Sequence, residues 1–232
     1  MPALLAVLGL AGCHSGGSSP TPSRTTTTPT PAPSATTPAG EALRQVATAA
    51  VAASYRAAYT VRQSHPATTA TWRLWRTPSS LRVDVVTKQV TATLIVTAKA
   101  SYSCRRAGHR RTCFRVAGPG QPVPKPFPLL AEKLFSTDIA TLASHADSYA
   151  TSAPTVVDGT VQVPASTCFR LQPLASAPRP RVDKGTYCFS ASGVLTSVSY
   201  PSGNVVRLQH LSMHSPPRAA FVPYSSPTPL PS

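Results

Sequence analysis

Between Glu41 and Tyr59 the apolar residues Leu43, Val46, Ala50, Ala53 and Ala57 recur at helical spacing in an alanine-rich stretch. The pattern predicts a helix over that range, with Gly40 as its N-cap. Beyond His65-Pro66 the period drops to two. Ala70, Trp72 and Leu74 alternate with Thr71, Arg73 and Trp75, and Leu81, Val83 and Val85 alternate with Arg82, Asp84 and Val86. These read as half-buried strands separated by a turn at Thr77-Pro78-Ser79. Short strands continue over 93–97, 101–106 and 111–116. The five prolines between Gly118 and Pro128 then exclude a central strand. Helical stretches follow at Leu129–Phe135 and from Thr137, where Thr137 can cap, Asp138 suits a helix start, and Ile139, Leu142 and Ala146 share a face. Strands resume over 155–163, 167–172, 186–191, 193–200 and 205–211, with tight turns at Ser192-Gly193 and Ser202-Gly203-Asn204. The expected class is α+β: about ten short antiparallel strands, an N-terminal helix and a helical insert.

Composition divides the chain at both ends. Residues 14–40 are almost entirely Ser, Thr, Pro, Gly and Ala, with Arg24 the one formal charge. Such a segment cannot bury enough apolar surface to offset its ordering entropy, and its prolines stiffen it into a spacer. Residues 215–232 hold six prolines without periodicity and are likewise expected to be a disordered tail. One folded domain, 41–214, is left between them. No apolar run reaches the ~18–20 residues of a membrane-spanning helix.

The start of the chain has a pattern of its own. The apolar run Ala3–Ala11 has the length of a signal-peptide core and leads into Leu10-Ala11-Gly12-Cys13, with small residues where a peptidase cuts. Leu-Ala-Gly-Cys resembles a bacterial lipobox. That resemblance implies removal of residues 1–12, a diacylglycerol on the Cys13 thiol, and a linker over 13–40. Such signals open with Lys or Arg, and none precedes Cys13, so translation is expected to begin upstream of Met1. Four cysteines remain, Cys104, Cys113, Cys168 and Cys188. An even number in an exported domain is a disulfide framework before it is a metal site, and the spacings match no common zinc module. Three pairings exist. Cys104–Cys113 and Cys168–Cys188 are favoured because each pair lies on strands expected to be antiparallel neighbours.

The order of these elements, together with the lipobox, resembles the LolA-like fold, in particular the LppX/LprG lipoproteins of actinobacteria. The resemblance implies a strongly curved sheet wrapped as a half-barrel on helices, with an apolar hollow for acyl chains. The Cys168-Phe169 and Tyr187-Cys188-Phe189 strands also resemble a further set of actinobacterial lipoproteins. No binding residues transfer position by position.

Candidate chemistry is sparse. There is no Gly-x-Ser-x-Gly elbow, Ser-x-x-Lys or His-Glu-x-x-His pattern, and the seven acidic residues are scattered. His145, Asp147 and Ser148 lie close in sequence, but residues two apart on a helix face different sides. No enzyme, cofactor or metal is expected. The chain carries 22 Lys+Arg against 7 Asp+Glu, a formal charge of +15, and the basic residues concentrate at one hairpin tip. There Arg105, Arg106, Arg110, Arg111 and Arg115 form a candidate patch for an anionic partner, since guanidinium groups bind phosphates and carboxylates in bidentate fashion. Outside the cytoplasm that partner is an anionic lipid or envelope polymer, and nucleic acid is not expected. Trp72 and Trp75 should face opposite sides of their strand, one in the core. The reading is a monomeric lipoprotein on the outer face of the cell membrane. It binds a lipid or other amphiphile in the hollow or, alternatively, acts as an envelope interaction or sensing module with no stored ligand. A filled core with an exposed groove would favour the second.

Overall fold

In the computed structural model, residues 37–124 and 129–229 are described. Cys13 and the signal-like run lie outside them, as does nearly all of the linker. The first element, α1 (Pro38–Ala52), starts at Thr37, whose side chain accepts the Gly40 N–H at 3.1 Å. Pro38 at the first helical position and Glu41 in the first turn complete a favourable start. The helix buries Leu43, Ala47 and Ala50 along one stripe. It ends at Ala52, seven residues before the sequence-predicted end. Tyr55, Ala57, Tyr59 and Val61 are buried and alternate with more exposed neighbours, so the period is already two, and β1 (Tyr55–Ser64) takes them. Burial of two tyrosines outweighs the helix propensity of Ala57 and Ala58.

The strands continue as β2 (Ala67–Thr77), β3 (Ser80–Val86), β4 (Thr91–Thr97), β5 (Ser101–Ala107) and β6 (Arg110–Ala117). The helical insert is continuous: α2 (Leu129–Glu132), a π-helical turn (Lys133–Asp138) and α3 (Ile139–His145). Thr137 therefore lies inside the turn and does not cap a new helix. After it come β7 (Tyr149–Thr151), β8 (Thr155–Val157), β9 (Ser166–Pro173), β10 (Gly185–Ser190), β11 (Leu195–Ser199), β12 (Val205–Ser212) and the two-residue β13 (Thr228–Pro229). The sheet order is β13-β6-β5-β4-β3-β2-β1-β12-β11-β10-β9-β7, with β8 also on β9. All pairings are antiparallel except β13 on β6. This is a curved, unclosed sheet wrapped on an N-terminal helix and a helical insert, the α+β half-barrel that was expected. Among the described residues it has thirteen strands, because β1, β7 and β13 add to those read from periodicity.

The C-terminal segment departs from expectation. It does not hang free after His214. A 3-10 turn (Arg218–Phe221) packs on β3 and β4, Arg82 Nη1 donates to the Ala220 carbonyl at 3.0 Å, and β13 extends the sheet edge. The physical reason is on the outer face of the sheet. Ile95 points there, on the same cross-strand row as Arg82, and is fully buried. A proline-rich strap makes few backbone bonds of its own, so it has no period to read, yet it covers that apolar side chain.

Both disulfides form, Cys104–Cys113 and Cys168–Cys188. In each the two residues are directly opposed across antiparallel neighbours. Their loops span 9 and 20 residues, so by chain entropy each contributes about 3 kcal/mol. Replacing Cys168 and Cys188 together by alanine is expected to lower the urea midpoint by a corresponding amount under non-reducing conditions. An unchanged midpoint would mean that β9 and β10 hold their register without the bond.

Candidate functional site

The concave face is the place to look for an apolar hollow, and the protein's own helices occupy it. Leu43 and Ala47 of α1, Leu134 and Phe135 of the π-helical turn, and Ile139 and Leu142 of α3 are all at most 1% exposed. They form one continuous core with Tyr59, Trp72, Phe169, Phe189, Leu195 and Leu208 of the sheet. The Phe135 ring lies 4.9 Å from that of Tyr59 and 6.3 Å from that of Trp72, in tilted and edge-on contacts. The Tyr59 hydroxyl donates to the Leu195 carbonyl at 2.8 Å. Arg76 is buried here too, donating to the carbonyls of Ala50 and Phe135, so it ties the end of α1 to the insert.

Two polar features surround this core. The first is at the insert. Lys133 Nζ bonds both carboxylate oxygens of the buried Asp138, at 2.9 and 3.0 Å, and Asp183 at 3.0 Å. Burial pushes the Asp138 carboxyl up to about 6, against the pull of Lys133 and with the help of Asp183 and Glu132. Burial opposes the Lys133 charge, but Asp138 and Asp183 outweigh it and hold the ammonium above its ordinary range. The linkage has a definite sign. At about pH 4–6 folded Asp138 keeps a proton that the unfolded chain has released, so its contribution is complete below that window and is lost as pH rises through about 6. Unfolding free energies from urea titrations should therefore fall across that interval, by on the order of 3 kcal/mol from this group, and Asp138→Asn should flatten the fall. An equally steep fall in the variant would assign it to other carboxyls.

The second feature is the outer face. Trp75 points outward, as its spacing from the buried Trp72 predicts, and the Arg82 guanidinium stacks 4.9 Å from its ring centroid. Pairing places Arg73 opposite Asp84, Asp84 opposite Thr93, and Thr93 opposite Cys104. One row along, Thr91 faces Arg106, and Arg106 faces Arg111. Strand alternation therefore puts Arg73, Arg82, Arg106 and Arg111 on the side away from the helices. They line a concavity of about 280 Å³ together with Asp84, Thr93 and Tyr224 of the C-terminal strap. Arg82 holds Asp84 through Nε and Nη2 at 2.8 and 3.0 Å, and Thr93 donates to the same carboxylate at 2.9 Å. Among the described residues Arg73, Arg106 and Arg111 pair with no carboxylate. A shallower groove of about 730 Å³ crosses the outer face of β7 and β9–β11, lined by Arg170, Gln172, Lys184 and Thr186 among others.

The five hairpin arginines are all exposed but do not act as one patch. Arg106, Arg111 and Arg115 share the outer face, whereas alternation turns Arg105 and Arg110 to the other side. Arg73 and Arg82 join the group through long-range pairing, which no local signal reveals. His145 and Asp147 do not converge with Ser148: His145 Nδ1 contacts Ser144 Oγ at 2.7 Å, and Asp147 lies 3.6 Å from Arg44. Among the described residues no three His, Cys, Asp or Glu side chains gather as a metal site, and no helix is long and apolar enough to cross a membrane.

No protein-family model matches the chain, and no curated protein sequence matches it. Partial structural overlaps occur at low identity. A chain of the Pseudomonas aeruginosa MucA/MucB complex is 12% identical with a TM-score of 0.48, over 79% of this chain and 60% of that one. A second structure, of MucB in complex with MucA(peri), gives 13%, 0.42, 79% and 59%. A DUF1329 family protein from Desulfovibrio piger gives 10%, 0.37, 80% and 98%. The chain thus spans about three fifths of the length of the first two.

Proposed function

We propose that this chain is a membrane-tethered, extracytoplasmic, non-enzymatic binding module that engages an anionic envelope partner on the outer face of its sheet and stores nothing in the hollow. The observation that carries this reading is the filled concave face, where Leu43, Leu134, Phe135 and Leu142 occupy the space that acyl chains would need. The disulfides fit an oxidising compartment outside the cytoplasm. The lipobox resemblance at Leu10-Ala11-Gly12-Cys13 supplies the anchor, and the Ser/Thr/Pro-rich stretch after it supplies reach. The unpaired arginines of β2, β5 and β6 supply attraction for an anion.

The test is native mass spectrometry of the full chain released from membranes, followed by solvent extraction. Beyond its own anchor the protein should carry no acyl lipid near one-to-one, and it should bind vesicles containing phosphatidylglycerol in preference to pure phosphatidylcholine. A stoichiometric extractable lipid would restore the carrier reading. Equal binding to both vesicle types would remove the anionic partner.

A further inference from the structure

The arginine-lined concavity on the outer face is more than a basic surface. Arg106 and Arg111 are placed directly opposite one another on paired strands. Like charges at such positions repel and weaken the pairing. The fold nonetheless adds Arg73 and Arg82 around the same space and offsets the four with a single acid, Asp84. That acid already takes three hydrogen bonds from Arg82 and Thr93, and its one charge is matched by Arg82, so the remaining three guanidinium groups have no carboxylate of their own among the described residues.

The strap supplies an independent observation. Tyr224 lines the concavity, and its hydroxyl is buried without a hydrogen bond of ordinary geometry. A buried hydroxyl left unpaired is uncommon and costly in a folded protein. Burial holds this phenol above its usual range, although neighbouring Thr93 acts the other way, so it stays neutral and keeps a proton to donate. Three guanidinium groups without a carboxylate partner and a phenol thus line a space whose one acid is already held by Arg82.

We infer that this concavity is a binding site for a phosphate group, with Arg73, Arg106 and Arg111 as its charged donors and Tyr224 completing it from the strap. A carboxylate has two oxygens and one charge, too few for this set. A terminal phosphate, free or as a monoester, offers at least three unesterified oxygens and up to two charges, matching forked guanidinium donors, whereas a diester offers no more than a carboxylate does. The inference rests on the reading of the outer face as the binding face, and it narrows that reading to one place and one chemistry. The group comes either from a lipid headgroup or from a soluble phosphate ester.

The hairpin provides its own control. Arg106→Gln/Arg111→Gln and Arg105→Gln/Arg110→Gln remove the same charge from the same hairpin, on opposite faces. Isothermal titration of the full chain with inorganic phosphate should show about a tenfold or larger loss of affinity for the first pair and about twofold or less for the second. Tyr224→Phe should lose about threefold or more, and acetate should bind the wild type at least about tenfold more weakly than phosphate. If vesicles containing phosphatidic acid, whose headgroup is a phosphate monoester, bind with the same dependence on Arg106 and Arg111, and phosphate competes, the source is a lipid headgroup. If only soluble phosphate binds, it is a free ester. Equal losses for the two double variants, or vesicle binding indifferent to both phosphate and Arg106/Arg111, would overturn the pocket while leaving the basic-face reading intact. Failure to bind either probe would overturn both.

Discussion

Replacing Gly193 by alanine should cost about 3–5 kcal/mol, close to the whole stability of a modest domain. Gly193 closes the turn between β10 and β11, where Ser190 N–H donates to Val194 O at 2.8 Å and Gly193 N–H to Ser190 O at 2.9 Å. Its φ of +78° is a left-handed conformation that L side chains adopt at a penalty. The larger effect is steric. A Cβ at this position would lie 2.3 Å from Ala50 N and 2.4 Å from Ala49 C, both backbone atoms of α1. The helix cannot yield locally, because Ala47 and Ala50 sit against the core on the same stripe. Gly108, at the tip of the β5–β6 hairpin with φ +56° and nothing within 4 Å of a Cβ, carries the conformational penalty alone. Gly108→Ala should therefore lose only about 1–2 kcal/mol. Urea denaturation of the two variants side by side separates the contributions, and equal losses would show that α1 moves aside.

Phe135→Ala should cost a comparable amount, about 3–5 kcal/mol, as a fully buried aromatic leaves a cavity between the insert and the sheet. The variant also tests whether the hollow is filled by the protein's own side chains. The space vacated beside Tyr59 and Trp72 is apolar, and such cavities stay dry and admit small apolar molecules. A small apolar fluorophore should bind the variant and not the wild type. Should the wild type take up the fluorophore at one-to-one with no mutation, the hollow would be open in solution and the carrier reading would return.

Alternation was legible wherever it was unbroken, as in β2 and β3, and it assigned Trp72 and Trp75 to opposite faces correctly. The disulfide partners were legible for the same reason, since hairpin geometry sets Cys104 opposite Cys113. The end of α1 was not, because Ala53, Ala57 and Ala58 suit a helix as well as a strand and only the burial of Tyr55 and Tyr59 decides between them. The strap escaped notice because covering Ile95 requires no period. The candidate site was half visible. Arg106 and Arg111 announce themselves in a run of basic residues, but Arg73, Arg82 and Tyr224 reach them through strand register and a returning chain end, which sequence proximity does not encode.

The pairing of β1 with β12 sets an order of events for a chain that is synthesised N-terminus first. Strands β1–β6 neighbour one another in sequence order and hold their own disulfide, so they can assemble as soon as they emerge. The seam between the two halves has to wait, since Arg56 faces Ser212 and Val61 faces Val206. Until β12 arrives, the free edge of β1 is an open template for any passing strand. Late, long-range closure of this kind is intrinsically slow. The half-made sheet is therefore the stage at which a bare strand edge is most open to mispairing, and the last long strand closes it.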